Sequence, residues 1–272
     1  MRSKSDPHSC STRSVPSVFL DTSVLKASID SRFVFQIENQ KIEWGAHTVD
    51  IKVSKPVLLN PNVRFREQGN EDRFQDTIAL RYIAALTREG KIRLVCHNEV
   101  RFELFRLPKV GGAPFYGVPI DWVDGPFKYG RVIADGSKRD HQYEFLIKLE
   151  IPRFQELQRA CGAYQGTGKP PNRSQLLDAF HLLCAEHAEA QYFLTIDDAL
   201  IRAISNHRST SLRTLPVTPM RLVSALVQKH PTWLMSVLRE CWRIRRSGRQ
   251  LGRRTQDAMD RFWGRYPGDG QH

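Results

Sequence analysis

Short apolar segments of strand length alternate with helical patterns along most of the chain. Residues 18–20, 92–96 and 192–195 are such segments, and the stretches between them carry apolar residues at helical spacing. Strands that alternate with helices favour a parallel sheet that is covered by helices on both faces. The pattern therefore predicts an α/β fold with a mostly parallel central sheet.

Local patterns refine this organisation. Residues 41–59 alternate partly between apolar and polar side chains, which predicts a β-hairpin. Residues 76–89 are expected to form a helix, and Ser174 is expected to cap a later one. Residues 108–137 are rich in Gly, Pro and aromatic side chains and are predicted to be irregular. These aromatic side chains could stack on bases of single-stranded RNA or bury the segment against the core, and the sequence favours neither.

The two ends of the chain differ from its middle. Residues 1–16 are rich in Ser, Arg and Pro and are expected to be disordered. Residues 229–272 carry two amphipathic helical patterns and are expected to form a helical C-terminal extension. One domain with an appended segment fits a chain of 272 residues better than two full domains.

The chain is strongly basic, with a formal net charge of +12. Residues 229–272 hold ten Lys or Arg and four acids, so this segment contributes half of the excess. A protein this basic commonly binds a polyanion, and nucleic acid is a better candidate than a membrane surface. No apolar run is long enough to span a bilayer, no secretory pattern is found, and the five Cys are scattered. We therefore expect a cytoplasmic protein.

Acidic residues lie where strands are predicted to end. Asp21 follows the first strand directly, and Asp197 and Asp198 follow the strand at 192–195. Glu103 and Asp178 lie on predicted helices among apolar neighbours, where an acid is costly unless it is paired or bound to metal. In an open parallel sheet the functional site lies at the carboxyl ends of the strands, so these acids are candidates for one site.

Four segments resemble the motifs of PIN-domain nucleases, in the order of that family. Val-Phe-Leu-Asp21-Thr-Ser is similar to the opening motif, and Glu103 falls where the family has its second acid. The similarity is greatest where Leu-Leu-Asp178-Ala-Phe-His precedes a strand that ends in Thr-Ile-Asp197. Arg213-Thr-Leu-Pro-Val-Thr-Pro is similar to the last strand and helix.

The resemblance implies a PIN-like, three-layer α/β/α sandwich over residues 17–228. It covers roughly 17–37, 76–107 and 174–228. Residues of about 38–75 and 108–173 are then insertions larger than a compact family member carries, the first with an inserted β-hairpin.

A cluster of carboxylates alone would repel a phosphodiester, whereas carboxylates that hold Mg²⁺ or Mn²⁺ would not, because these hard cations prefer oxygen ligands. Such ions lower the pKa of a bound water, orient it and neutralise the leaving oxygen. The residues predicted to be catalytic and to bind metal are Asp21, Asp178, Asp197 and Glu103, the last directly or through water.

Two choices within this set stay open. Asp198 is the alternative to Asp197, although it also suits a helix N-terminus. Glu99 lies one turn before Glu103, and an acid in the first turn of a helix is its better interpretation. The residues expected to hold carboxylates or water by hydrogen bonds are Thr22, Ser23, Thr195 and Asp198.

Basic residues near Asp178 and in the C-terminal extension are candidates for contact with a nucleic-acid backbone. They are Lys169, Arg173, Arg243, Arg245, Arg246, Arg249, Arg253 and Arg254. The alternatives are solvated charges or a surface for an acidic partner protein.

Two other motifs are set aside. Gly166-Thr-Gly-Lys169-Pro resembles a phosphate loop, but Pro170 stands where that motif needs Ser or Thr. Cys96 with His97, and His181 with Cys184, lack the paired spacing of a structural zinc site.

The resemblance implies a Mg²⁺- or Mn²⁺-dependent endoribonuclease that leaves 5′-phosphate and 3′-hydroxyl ends. Many members of the family are toxins that an antitoxin protein restrains, and they are often homodimers, so a toxin or defence role is also implied. Two alternatives stay open. One is a catalytically inactive PIN-like module that binds RNA or acts as a scaffold, and the other is a DNA nuclease with the same site.

Overall fold

The computed structural model describes residues 15–28, 32–44, 47–59, 68–98, 100, 114–126, 139–164, 169–207 and 211–246. The strands are β1 (Ser17–Leu20), β2 (Arg32–Trp44), β3 (His47–Leu59), β4 (Arg93–His97), β5 (Asp121–Val123), β6 (Tyr192–Leu194) and β7 (Leu215–Val217). The helices are α1 (Thr22–Ala27), α2 (Glu71–Arg88), α3 (Arg139–Ile147), α4 (Pro152–Ala160), α5 (Arg173–His187), α6 (Asp198–Asn206), α7 (Pro219–Lys229) and α8 (Leu234–Arg246). Among the described residues, no helix is long and apolar enough to cross a membrane.

Five strands form the central sheet, in the order β5-β4-β1-β6-β7. Every neighbouring pair in this sheet is parallel. Parallel strands need crossover connections, and helices occupy most of them here. The predicted α/β fold with a parallel sheet is confirmed.

Successive residues of β1 point to opposite faces of the sheet and enter two separate cores. Val18 and Leu20 belong to the core that includes side chains of α1, α2, α7 and α8. Phe19 belongs to the core on the other face, which includes side chains of α3, α4, α5 and α6. Phe19 also stacks on Phe193 of the neighbouring strand, with ring centroids 5.8 Å apart. Helices therefore cover both faces of the sheet, an arrangement compatible with a three-layer sandwich.

The predicted hairpin is present and longer than the sequence pattern indicates. β2 and β3 pair antiparallel over their full lengths, from Arg32 opposite Leu59 to Trp44 opposite His47. They form a two-stranded sheet of their own. The predicted hairpin starts only at residue 41 and so leaves out most of β2. The reason is that Arg32–Trp44 does not alternate strictly between apolar and polar residues.

Strand β5 corrects the expectation of an irregular segment at residues 108–137. Asp121–Val123 pairs with β4, with Val95 opposite Asp121 and Cys96 opposite Trp122. A strand of three residues at the sheet edge is too short to give a recognisable alternation.

Two helix starts also differ from the expectations. α2 begins at Glu71 rather than at Asp76, and the Asn70 side chain caps it by accepting from the Arg73 N–H. α5 is capped by Asn172 rather than by Ser174, because the Asn172 carboxamide accepts from the N–H groups of Ser174 and Gln175.

Helix α8, in the predicted C-terminal extension, packs on the domain. Val237 is fully buried and Cys241 is 5% exposed, and both belong to the core under α2. The Ser236 hydroxyl donates to Glu89 Oε2 at 2.6 Å, and Cys241 Sγ donates to the Tyr82 hydroxyl at 3.1 Å. Since Glu89 follows α2 and Tyr82 lies in its middle, α8 runs antiparallel to α2. The boundary at residue 229 stays a prediction.

We predict that Val237→Ala lowers the free energy of unfolding by about 1 to 3 kcal/mol, because it removes two buried methyl groups and leaves a cavity. Met235→Ala is the matched control on the same helix, since Met235 is 59% exposed. That change should cost less than about 0.5 kcal/mol. Urea unfolding of both variants makes the comparison, and equal losses would contradict the packing of α8.

Candidate functional site

The strand order places a crevice beside β1. From β1 the chain continues to β4 and β5 on one side and then returns to β6 and β7 on the other. In sheets of this kind ligands bind outside the carboxyl ends of the strands, where the order reverses. Here that position lies between the ends of β1 and β6, so the residues that follow Leu20 and Leu194 define the candidate site.

Asp21 is the residue that follows β1, and two hydroxyl groups hold its carboxylate. The hydroxyls of Ser23 and Thr195 both donate to Asp21 Oδ2, at 2.5 and 2.8 Å. The Asp21 N–H donates to the Leu194 carbonyl at 3.0 Å, which extends the pairing of β1 with β6 by one residue. Ser23 and Thr195 are two of the residues expected to hold a carboxylate or water, and these are the contacts that they make with Asp21.

The third group beside the carboxylate is a histidine of α5. His181 Nδ1 lies 3.6 Å from Asp21 Oδ1, and the two side chains are 3% and 7% exposed. From the sequence, His181 is expected to be an ordinary packed or exposed residue, with a place beside the acids as the alternative because it follows Asp178 by one helical turn. In the structure it is buried and faces the Asp21 carboxylate.

Asp21 stays ionised although it is buried. Burial raises the pKa of this carboxyl, but the nearby His181 and the hydroxyls of Ser23 and Thr195 together outweigh burial, so the pKa lies below its ordinary value. The site therefore contains a fixed, desolvated negative charge at the point where the strand order reverses.

Asp197 is linked to Asp21 through Thr195. The Asp197 N–H donates to Thr195 Oγ1 at 3.0 Å, and that hydroxyl in turn donates to Asp21. The Asp197 side chain caps α6, because its Oδ1 accepts from the N–H groups of Ala199 and Leu200 at 2.8 and 3.1 Å. Asp198, the alternative, is the first residue of α6 and is exposed.

Asp178 lies on α5, one helical turn before His181. Residues three positions apart on a helix lie on the same face, so Asp178 and His181 are neighbours on α5. Asp178 is half-buried. Burial raises the pKa of the Cys161 thiol, and the charge of Asp178 raises it further, so Asp178 also lies near the end of α4.

Asp76 is an acid at this edge of the sheet that the sequence argument did not identify. It is 8% exposed, and its Oδ1 accepts from the Met220 N–H at 2.8 Å, which caps α7 from another helix. Burial raises its pKa to about 6, although the hydrogen bonds from Met220 and Thr218 oppose this, and the charge of Asp198 adds to the rise.

The remaining residues of the predicted acidic set are less defined. Thr22 is buried in the first turn of α1, and its hydroxyl has no hydrogen-bond partner within the described part of the chain. Glu103 lies outside the described residues. The structure therefore describes three of the four predicted acids, Asp21, Asp178 and Asp197, but not Glu103.

The chemistry of these donors suits Mg²⁺ or Mn²⁺, since they are carboxylates and hydroxyls. Their described arrangement does not complete a metal site, because no group of three or more His, Cys, Asp or Glu close enough to hold an ion occurs among the described residues. The Asp197 carboxylate caps α6, and Asp21 Oδ2 already accepts two hydrogen bonds. The described side chains thus offer the oxygen donors that Mg²⁺ or Mn²⁺ prefers, but too few of them lie close together to hold the ion.

The predicted nucleic-acid contacts are dispersed. Lys169 is exposed, and Arg173 is the first residue of α5, with its guanidinium 5.7 Å from the centre of the Tyr143 ring. Arg243 is 61% exposed and pairs with Glu240 at 2.7 Å. Arg245 and Arg246 belong to the last turn of α8, and their side chains are not described. The other predicted contacts lie outside the described residues: Arg249, Arg253 and Arg254.

Comparison of the chain with protein-family models, with curated proteins and with solved structures finds no match.

We predict that Thr195→Val destabilises the protein by about 1 to 3 kcal/mol at neutral pH, because the buried carboxylate loses a donor while side-chain volume is kept. The lowered pKa of Asp21 means that its contribution is present above the ordinary pKa of 3.8 and is lost as pH falls through the lower folded-state value. The deficit of the variant should therefore shrink on acidification, as measured by urea unfolding at several pH values.

Thr214→Val is the matched control for this change. The Thr214 hydroxyl is also buried, but it donates to the neutral Ala190 carbonyl at 2.8 Å. Its loss should cost a similar amount at every pH. Parallel pH profiles for the two variants would contradict the role given to Thr195.

A second prediction concerns Asp76, whose raised pKa of about 6 makes the folded state bind more protons than the unfolded state between pH 3.8 and 6. Stability from this group is therefore greatest in acid and falls as pH rises through that window. Asp76→Asn keeps an acceptor for the Met220 N–H and should be the more stable protein above pH 6, by up to about 3 kcal/mol. A difference between variant and wild type that does not change between pH 4 and pH 7 would contradict this.

Proposed function

We propose that this protein is a PIN-like, metal-dependent nuclease that hydrolyses phosphodiester bonds of RNA. The observation that carries the proposal is the ionised Asp21 carboxylate at the end of β1, linked through the Thr195 hydroxyl to the backbone of Asp197. The order of the strands and the order of the acidic motifs along the chain support it.

Desolvation makes an isolated buried charge costly. Around Asp21, His181 and the hydroxyls of Ser23 and Thr195 together outweigh that cost, so the carboxylate is ionised without an added ion. A metal ion would supply the positive charge that makes a phosphodiester tolerable beside carboxylates. The chain's own residues contribute the fixed orientation of Asp21, which Ser23 and Thr195 hold at one of its two oxygens.

Asp21, Asp178 and Asp197, together with Glu103, would hold the ion. When bound, Mg²⁺ or Mn²⁺ would supply an activated water and charge neutralisation at the scissile phosphate. His181 and Ser23 would keep Asp21 in place on either side of its carboxylate, since His181 approaches Oδ1 and Ser23 donates to Oδ2.

The exposed face of α8 supports a nucleic-acid substrate. Arg239 and Arg243 are 69% and 61% exposed, and Trp242 between them is 59% exposed. Cationic side chains beside an aromatic ring suit phosphate contact and base stacking. Asp76 lies in the first half of α2 and contacts Met220, which follows β7 at the edge of the sheet that carries the acids. Because α8 runs antiparallel to α2, its C-terminal end points toward that edge.

We expect purified protein to cleave a structured RNA pool in the presence of Mn²⁺ or Mg²⁺ and not in the presence of a chelator. Asp178→Asn should lower the rate by about 100-fold or more, because it removes one carboxylate charge without a change of volume. Gel analysis of the products, with identification of their end groups, makes the measurement.

Asp121→Asn is the control for that experiment. Asp121 is an exposed carboxyl at the start of β5, at the opposite edge of the sheet, where it lies 3.7 Å from Arg93. Its loss should leave the rate unchanged. Equal rates for the Asp178→Asn and Asp121→Asn variants, or cleavage that survives chelation, would refute the metal-dependent mechanism.

A second candidate function is an inactive PIN-like module that binds RNA. The observation that favours it is that Asp21 Oδ2 accepts two hydrogen bonds and the Asp197 carboxylate caps α6, so both carboxylates have structural partners. RNA binding without cleavage, equal for wild type and for Asp178→Asn, would identify this function. Matched RNA and DNA strands, which differ at the 2′-hydroxyl, separate the ribonuclease from the DNA nuclease.

The contact of α8 with nucleic acid has its own test. The double variant Arg239→Gln and Arg243→Gln should weaken binding of a single-stranded oligonucleotide and lower the slope of log K against log salt by about 1 to 2, since each phosphate contact contributes about 0.7 to the slope. Arg159→Gln with Lys148→Gln, two exposed cations of the other helical layer, is the control. Equal slopes for the two double variants, measured by fluorescence anisotropy in chelator, would contradict the role of α8.

A further inference from the structure

The two faces of the β2–β3 hairpin differ in character. On one face Ile42 lies opposite Val49, and Ile51 and Val53 continue along β3. Ile42 and Val49 are 42% and 45% exposed. On the other face Lys41 lies opposite Asp50, and Asn39 lies opposite Lys52. The alternation is clear on β3, where Val49, Ile51 and Val53 share one face and Asp50 and Lys52 share the other, whereas β2 places Gln40 and Glu38 opposite Ile51 and Val53.

Among the residues that the structure describes, no further strand lies beside this hairpin. An isolated two-stranded hairpin is marginally stable in water and is stabilised by further strands or by a packed helix. Within the described part of the chain, β2 and β3 pair only with each other and are not hydrogen-bonded to the five-stranded sheet. Both strands thus present an edge 13 residues long, which is a template for pairing with another strand.

The sequence of β3 is complementary to itself. If a second β3 is placed antiparallel beside it, about a two-fold axis at Ile51, then Val49 lies opposite Val53 of the second copy, and Ile51 lies opposite Ile51. Asp50 lies opposite Lys52, and this pair occurs twice because of the symmetry. Residues that face each other across antiparallel strands share a face, so apolar residues meet apolar ones and opposite charges meet.

Other placements are poorer. Moving the axis by one residue puts Asp50 opposite Asp50, or Lys52 opposite Lys52, which is destabilising. On β2 the comparable axis at Ile42 pairs Lys41 with Glu43, but the strand ends two residues later at Trp44, so the overlap is short. The edge of β3 is therefore the better one for self-association.

We infer that two copies of this chain associate through β3, antiparallel and with Ile51 at the two-fold axis. The hairpins then form one four-stranded antiparallel sheet. The Val49, Ile51 and Val53 rows of the two β3 strands then lie side by side on one face, and the opposite face carries symmetric pairs of Asp50 with Lys52. A homotypic edge contact of this kind is isologous and closes at two copies.

Charge exchange tests this arrangement. Asp50→Lys makes Lys face Lys52 across the axis, and Lys52→Asp makes Asp face Asp50. Each single variant should weaken the dimer by about tenfold or more, since attractive cross-strand pairs become repulsive twice. Sedimentation velocity of the full chain over a wide range of concentration makes the measurement.

Two further samples distinguish the register from a folding defect. The double variant Asp50→Lys with Lys52→Asp restores opposite charges across the axis and should dimerise more tightly than the Asp50→Lys single variant, which places the same Lys opposite Lys41 within the hairpin. An equimolar mixture of the two single variants pairs two Lys with two Asp and should form a heterodimer. Restoration in the mixture also shows that both single variants are folded.

Several results would overturn the inference. A wild-type chain that is monomeric at every concentration would do so, as would single variants that dimerise like wild type. Loss of dimer in the single variants without restoration in either the double variant or the mixture would also exclude this pairing. The experiment does not measure nuclease activity, so its outcome is independent of the proposed function.

Discussion

The two hydrogen bonds donated to one oxygen of Asp21 hold the central part of the fold together. Asp21 follows β1, Ser23 lies on α1 and Thr195 follows β6, so one buried carboxylate joins a strand end, a helix start and the neighbouring strand. His181 brings α5 to the same point. Elements from both faces of the sheet thus meet at one desolvated charge, and a substitution that leaves this charge without its donors is expected to be costly.

The acids at this edge are not equivalent, and their environments explain why. Asp21 receives two hydroxyl donors and faces a histidine, and its pKa lies below the ordinary value. Asp76 is also buried, but its main partners are one N–H group and the Thr218 side chain, with Asp72 and Asp198 nearby, and its pKa is raised to about 6. One edge of the sheet therefore holds one buried carboxyl whose pKa is lowered and another whose pKa is raised to about 6, and the difference follows from their hydrogen-bond donors and neighbouring charges.

The sequence predicted the parts of this structure that local patterns determine. Strand segments that end in Asp21 and Asp197, and a half-buried Asp178 on a helix, were recognisable because apolar runs and charged residues alternate at fixed spacing. β5 was not recognisable, because a three-residue strand has no period. Asp76 was missed because its burial depends on Met220, 144 residues away along the chain. The contact of His181 with Asp21 is likewise long-range, so only the fold brings it about.

The central claim is that Asp21 remains ionised although it is buried, and a direct titration of its carboxyl group tests this. ¹³C-detected NMR of protein labelled at Asp, with the resonance assigned from the Asp21→Asn variant, would follow that group on acidification. We predict that Asp21 is still predominantly ionised at pH 3.8, where an ordinary Asp is half protonated. A midpoint at or above 3.8 would contradict the account, since Ser23, Thr195 and His181 would then not be holding a charge.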